Sequence, residues 1–198
     1  MKYKAIFKEL IQKYVITNSN LQVLILGAGF GGEIEAIKEI YKKPFYVTAV
    51  DANKNNLSIL KKVINNGTVD WAIVTDAETD SAMFYEKRGK PKAGDTINVK
   101  ETTVDSYLVK TVKLSKYINK SLDLVSMDIQ GFEYKVLNEA IQKLNKNVKY
   151  LHILTHSVTI EKQILKLLHK NKWKIKLAFF YDIDDSTDGL IFAKNYNI

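Results

Sequence analysis

Four side chains that can accept or carry protons stand just behind apolar runs of the sequence. They are Asp51, Asp76, Asp128 and His156. A carboxylate accepts hydrogen bonds from sugar hydroxyls or from an ammonium group, and an imidazole exchanges protons near neutral pH. Acids and imidazoles are also the groups that remove a proton from a reacting hydroxyl. If the apolar runs are strands of one sheet, we expect these four side chains near a single ligand site.

A glycine cluster follows the first apolar run. Residues 23–33 read VLILGAGFGGE, so Gly27, Gly29 and Gly32 satisfy the pattern G-x-G-x-x-G. Glycine lets the backbone adopt positive φ and approach a ligand closely, and the helix that follows presents free N–H groups. Dinucleotide-binding turns share this pattern with the looser glycine loop of S-adenosylmethionine enzymes. Glu33 would repel a pyrophosphate but could accept a hydrogen bond from a methionine ammonium, which favours S-adenosylmethionine.

The glycine loop and the ends of the next strands are predicted to hold this cofactor. Asp51 ends the second apolar run, where an acid accepts hydrogen bonds from ribose hydroxyls in either kind of site. It could equally serve the start of the helix predicted from Asn53. Asp76, behind the third run, is predicted to face the adenine amino group. The predicted cofactor-binding residues are Gly27, Ala28, Gly29, Phe30, Glu33, Asp51, Ala52, Asp76, Ala77 and Asp128.

The apolar runs alternate with segments of helical periodicity, and this alternation predicts a parallel α/β sheet with helices on both faces. The predicted strands are 21–26, 45–50, 69–75, 122–127, 148–154, 173–181 and 189–193. The predicted helices between them are 31–43, 53–65, 132–144 and 159–170. The last two strands have no helix between them, so we expect an antiparallel hairpin to close a mostly parallel, seven-stranded, Rossmann-like sheet.

Four further segments are assigned more loosely. Residues 1–18 are amphipathic and are predicted to form a helix that caps the sheet. Residues 78–96 carry glycine and proline and are predicted to be an irregular, mobile lid. Residues 96–102 are predicted to be extended, and residues 104–108 to begin a short helix. The whole chain, 1–198, is predicted to be a single domain.

Composition excludes several classes of site. The chain has 198 residues and no cysteine, so disulfides, thiolate metal sites and cysteine nucleophiles are excluded. The net charge is +8, but Arg88 is the only arginine, and bidentate recognition of bases and phosphates favours arginine over lysine. A nucleic-acid role is therefore not favoured, although a basic surface attracts phosphate without specificity. No apolar run reaches membrane-spanning length, and we expect a soluble, cytoplasmic protein.

The segment around the fourth central strand resembles a known family. Residues 122–137 read LDLVSMDIQGFEYKVL. The sequence is similar to FkbM-type methyltransferases of class I, whose hallmark is a strand ending in Asp-x-Glu-Gly-x-Glu, standing here at 128–133. Residues 103–108 (TVDSYL) and 188–192 (DGLIF) also match segments of that family. The resemblance spans roughly residues 21–194.

This resemblance implies S-adenosylmethionine-dependent methylation of a hydroxyl on a sugar, glycolipid or other small metabolite. Asp128 and His156, at the ends of neighbouring strands, are the predicted catalytic residues. Gln130 and Glu133 are the predicted substrate-binding residues. Gln130 stands where the family has glutamate, and a neutral amide is a poorer partner for a hard cation, so no metal site is predicted. Ile25 stands where an acidic residue commonly precedes the glycine loop.

Two other functions fit parts of the sequence. Gln130 and Ile25 are compatible with a noncatalytic nucleotide-binding or interaction protein on the same fold. The glycine spacing alone is compatible with a short NAD- or FAD-binding module. The nature of the bound cofactor distinguishes these alternatives from a methyltransferase.

Overall fold

The computed structural model describes residues 2–16, 20–77, 79–87, 104–180 and 189–198. Its strands are β1 Leu21–Leu26, β2 Phe45–Asp51, β3 Gly67–Trp71, β4 Ile73–Thr75, β5 Ser81–Lys87, β6 Val104–Lys113, β7 Leu122–Met127, β8 Val148–Thr155, β9 Trp173–Phe180 and β10 Gly189–Asn195. Its α-helices are α1 Lys2–Leu10, α2 Gly32–Ile40, α3 Lys54–Val63, α4 Glu133–Asn147 and α5 Val158–Lys170. A π-helical turn, Ile11–Val15, extends α1.

Seven strands form the main sheet in the order β3-β2-β1-β7-β8-β10-β9. The first five are mutually parallel, and β10 runs antiparallel to both β8 and β9. The predicted Rossmann-like sheet with its closing antiparallel strand is therefore confirmed. The order reverses between β1 and β7, and the carboxyl ends of these two strands are where open α/β sheets bind ligands.

Helices cover both faces of the sheet because its central strands are apolar on both sides. All six residues of β7 are buried, and in β1 only Gln22 is partly exposed. On one face the core includes apolar side chains of α4 and α5. On the other face it includes those of α1, α2 and α3, so the N-terminal helix caps the sheet as predicted. No helix in the described segments is long and apolar enough to span a membrane.

A second, three-stranded sheet was not predicted. It has the order β4-β6-β5, with β5 antiparallel to β6. The helix predicted from residue 104 is wrong, because the β-branched and aromatic run from Val104 to Lys113 pairs along its length as a strand. The predicted strand 69–75 is divided at Ala72 between the two sheets.

The segment predicted to be irregular is partly ordered. Within residues 78–96, Ser81–Lys87 forms strand β5 and is therefore not irregular. Residues 88–96 of the predicted lid, the predicted extended segment 96–102 and the acidic turn 182–188 lie outside the described residues. The opening and closing of a lid stays a prediction.

Candidate active site

The glycine loop is held tightly between the ends of three strands. Gly27, Gly29 and Gly31 all have positive φ, and the Gly27 N–H donates to the Val50 carbonyl at 2.9 Å. A side-chain carbon on Gly27 would lie 1.8 Å from the backbone oxygen of Asp128. Glycine is therefore required at residue 27, because the loop passes directly over the end of β7.

A cavity of about 360 Å³ opens beside this loop, which is a size that suits a small-molecule ligand. All but two of the predicted cofactor-binding residues line it, namely Gly27, Ala28, Gly29, Phe30, Glu33, Asp51, Ala52 and Asp128. Gln130 also lines the cavity, and Tyr3, Lys4 and Phe7 of α1 complete the wall. The cavity therefore lies at the carboxyl edge of β1, β2 and β7, where the sequence predicts a ligand site.

Asp51 links the glycine loop to the start of α3. Its Oδ2 accepts a hydrogen bond from the Gly29 N–H at 2.7 Å, and its Oδ1 accepts from the Asn53 N–H at 2.8 Å and from Nδ2 of Asn56 at 3.1 Å. Asn53 itself caps the helix, since its side chain accepts from the Asn55 N–H. The Asp51 carboxylate thus fixes the shape of the loop as well as lining the cavity.

Asp76 and Ala77 lie away from the cavity. Both residues are exposed, and neither contributes to the wall. Beyond β3 the wall is formed instead by Ala72, Ile73 and Val74, which makes it apolar there. The cofactor-binding roles assigned to Asp76 and Ala77 stay predictions.

The turn that follows β7 presents Asp128 to the cavity. Gln130 has a φ of 55°, and its Nε2 donates to Oδ1 of Asp128 at 3.0 Å. Glu133, whose predicted role was substrate binding, is fully buried outside the cavity wall. Its carboxylate accepts hydrogen bonds from the backbone N–H groups of Ile129 and Gly131. Gln130 and Glu133 together hold the turn, and their substrate-binding roles stay predictions.

His156 lies between two carboxylates. Its Nδ1 is 2.8 Å from Oε1 of Glu133, and its Nε2 is 3.3 Å from Oδ1 of Asp128. Burial by itself would lower the pKa of His156, but hydrogen bonds to Asp128 and Glu133 outweigh that effect and raise the pKa to about 10. The structure thus brings the two predicted catalytic residues together, with an imidazole that is charged at neutral pH and does not line the cavity.

Sequence reasoning missed a buried polar cluster around Glu33. Oε1 of Glu33 accepts hydrogen bonds from the Tyr3 hydroxyl at 2.8 Å and from the Ser126 hydroxyl at 2.9 Å. His152, which is fully buried, contacts the same two hydroxyls. Burial, opposed by these two hydrogen bonds and reinforced by the charge of Asp128, raises the pKa of Glu33 to about 7. No sequence motif includes these residues. The one available signal was that Ser126 and His152 are polar residues within largely apolar strands.

Comparison with known proteins identifies the family. The family model described as the Methyltransferase FkbM domain matches residues 26–174. The chain belongs to the FkbM methyltransferase family. The predicted family is thereby confirmed, and S-adenosyl-L-methionine is the cofactor of this methyltransferase. No protein with a curated description matches the sequence at a significant level.

Solved structures with the same fold include other methyltransferases. The FkbM methyltransferase of Methylobacillus flagellatus KT has a TM-score of 0.58 and 17% identity, and the match covers 94% of this chain and 47% of that protein. The precorrin-6y C5,15-methyltransferase of Geobacter metallireducens GS-15 has a TM-score of 0.58 and 12% identity, over 98% of this chain and 87% of that one. TrmK of M. capricolum, solved with S-adenosyl-homocysteine, has a TM-score of 0.53 and 14% identity, and the match covers 96% of this chain and 67% of that one. At such identities these neighbours support the fold of the present chain and do not define the acceptor that it methylates.

Proposed function

We propose that this FkbM methyltransferase transfers the methyl group of S-adenosylmethionine to a hydroxyl oxygen of a sugar, glycolipid or other small metabolite. The observation that carries the proposal is the position of Asp128. Asp128 lines the cofactor cavity together with residues of the glycine loop, and two neighbouring side chains contact its Oδ1. A carboxylate held at that point can take the proton of an acceptor hydroxyl.

The cavity has the parts that the cofactor needs. Gly27 and Gly29 line the cavity without side chains, so the backbone of the glycine loop can approach a ligand closely. Asp51 offers carboxylate oxygens to the ribose hydroxyls, and the apolar wall of Ala72, Ile73 and Val74 suits the flat adenine ring. Glu33, at the start of α2, is placed to accept from the methionine ammonium. The described residues therefore fit S-adenosylmethionine.

Asp128, rather than His156, is the base that we propose. An imidazole with a pKa near 10 already carries its proton at neutral pH and cannot accept another. Its charge instead orients the carboxylate and stabilises it. Since both Gln130 and His156 contact Oδ1 of Asp128, Oδ2 is the oxygen that can face an acceptor hydroxyl. In this role His156 is a positioning residue.

The proposed reaction transfers a methyl group from the sulfur of the cofactor to the oxygen of the acceptor. When bound, S-adenosylmethionine supplies an electrophilic methyl carbon whose bond to sulfur breaks as the C–O bond forms, with the electron pair left on the sulfur. Asp128 receives the hydroxyl proton as the oxygen attacks. Alignment of the hydroxyl with the methyl group supplies much of the rate, because the reacting atoms are held close and in line.

The proposal is tested by methyl transfer from isotope-labelled S-adenosylmethionine. The acceptor panel contains monosaccharides, glycolipids and small hydroxylated metabolites, with tRNA added because a chain of net charge +8 attracts phosphate without specificity. Mass spectrometry then locates the label. Label on a hydroxyl oxygen supports the proposal. Label only on tRNA, or no transfer to any hydroxyl compound while S-adenosyl-homocysteine binds, contradicts it.

A further inference from the structure

Four polar side chains form a closed ring beneath the cofactor cavity. The ring runs from Glu33 to Ser126 at 2.9 Å, on to His152 at 2.7 Å, on to Tyr3 at 3.2 Å and back to Glu33 at 2.8 Å. The four residues come from α2, β7, β8 and α1 respectively. Tyr3 lies outside the part of the chain that the family model matches.

The hydrogen bonds of this ring require four protons, one for each contact. The two hydroxyls supply two, and a neutral imidazole supplies a third. The fourth must come from a second proton on His152 or from the Glu33 carboxyl group, in which case one hydroxyl accepts from Glu33 and donates to His152 instead. Burial lowers the pKa of His152 to about 3, whereas the pKa of Glu33 is raised to about 7, so the fourth proton belongs to Glu33.

The charged groups around Glu33 do not neutralise it. Asp128, at the end of β7, and Asp51, at the end of β2, line the same cavity and are acidic. Tyr3 of α1 is neutral, because burial and the neighbouring Glu33 raise its pKa far above the ordinary value. Lys4, also on α1, lines the cavity but is 2.7 Å from Glu39 and forms an ion pair with it. A cation that enters the cavity would therefore be the natural partner of an ionised Glu33.

We propose that burial keeps Glu33 protonated within this ring in the cofactor-free protein and that the methionine ammonium of the cofactor displaces this proton on binding. The proton leaves to solvent, and the carboxylate then accepts hydrogen bonds from the ammonium, Tyr3 and Ser126. The Glu33 side chain keeps 18% of its surface exposed, which gives the proton a route out. Tyr3, Ser126 and His152 are positioning residues in this scheme. The inference rests on the proposed placement of the cofactor.

Titration calorimetry of the full chain with S-adenosyl-homocysteine tests this directly. Two buffers of different ionisation enthalpy, at the same pH, give the number of protons released. We expect close to one proton per ligand at pH 6.0, and affinity roughly eightfold weaker at pH 6.0 than at pH 7.5, because the ionised carboxylate is the binding form. His156 does not interfere, since it stays charged across this range.

Two variants and a matched control identify the source of the proton. Glu33→Gln should bind weakly with no proton release. Tyr3→Phe removes a donor to the ionised carboxylate, so the fall in affinity should begin at higher pH. Tyr14→Phe, in the same helical segment but packed against Phe192, should behave like the wild type. Thermal melting checks that each variant is folded.

The possible results distinguish a failure of proton storage at Glu33 from a failure of cofactor binding. Binding without proton release, or a Tyr3→Phe profile that overlays the wild type, overturns the ring as a proton store and leaves the methyltransferase proposal standing. No binding of S-adenosyl-homocysteine at any pH overturns the cofactor placement and the ring together. Release of one proton that disappears in Glu33→Gln supports both.

Discussion

Oδ1 of Asp128 lies 3.3 Å from Nε2 of His156, at the carboxyl edge of two neighbouring parallel strands. The other imidazole nitrogen lies against the buried Glu133, so His156 carries positive charge between two carboxylates. This arrangement makes Asp128 the fixed, cavity-facing member of the group and His156 the side chain that fixes it.

Replacement of Asp128 by asparagine should remove the base and leave the cavity shape intact. We expect turnover to fall by a factor on the order of 10² to 10⁴, with the affinity for S-adenosyl-homocysteine nearly unchanged. Asp123→Asn is the matched control, because Asp123 lies at the other end of β7 and pairs with Lys149. Full activity of Asp128→Asn would show that the proton goes elsewhere.

The charge on His156 should stabilise the fold in a pH-dependent way. The pKa is about 10 in the folded chain against an ordinary value of 6.5, so the stabilisation is fully present below pH 6.5 and is lost as pH rises through 10. Relative to His156→Asn, the wild type should lose up to roughly 4 kcal/mol of its advantage in free energy of unfolding between pH 6.5 and pH 10.5. Urea denaturation of both proteins from pH 6.5 to 10.5 measures this. A difference that does not change with pH would contradict it.

Asp51→Ala should weaken the binding of S-adenosyl-homocysteine by roughly 1–3 kcal/mol, since the ribose hydroxyls lose a charged acceptor and the Gly29 N–H loses its partner. Calorimetry gives the dissociation constant. Asp70→Ala is a suitable control, because Asp70 pairs with Lys110 and does not line the cavity. Equal affinities in the wild type and a folded Asp51→Ala would reduce Asp51 to a residue that serves only the start of α3.

Two glycines of one loop should respond differently to alanine. At Gly27 the added carbon meets the Asp128 backbone oxygen at 1.8 Å, and φ is +74°, so we expect loss of the binding site and destabilisation on the order of 2 kcal/mol or more. At Gly32, the first residue of α2, nothing lies within 4 Å, so alanine should be tolerated. Thermal melting of the two variants compares them. Equal melting temperatures would contradict the close approach of the loop to β7.

The parallel main sheet, its closing antiparallel hairpin and the ligand edge could be predicted because they depend on local patterns. Apolar runs alternating with helical periodicity determine a parallel sheet, and the glycine loop marks its switch point. The second sheet could not be predicted in this way. Residues of β5 pair with residues of β6 that are 17 to 29 positions away, and the β6 segment was itself predicted to begin a short helix.

The chemistry of the site was less predictable than its location. Tyr3 and His152 are 149 residues apart, and their contact arises only when α1 packs over β8. His156 was predicted to be catalytic because an imidazole ordinarily exchanges protons near neutral pH. The sequence could not show that folding places carboxylates against both of its nitrogens, and those contacts change what His156 can do.

We propose that this cavity holds S-adenosylmethionine and not a dinucleotide. Titration calorimetry of the purified chain with S-adenosyl-homocysteine, NAD and FAD under one set of conditions tests it most directly. We expect micromolar binding of S-adenosyl-homocysteine and no heat of binding with NAD or FAD, because Asp128 lines the cavity beside the glycine loop and places negative charge where a pyrophosphate would lie. Micromolar binding of NAD or FAD, with no response to S-adenosyl-homocysteine, would contradict the claim.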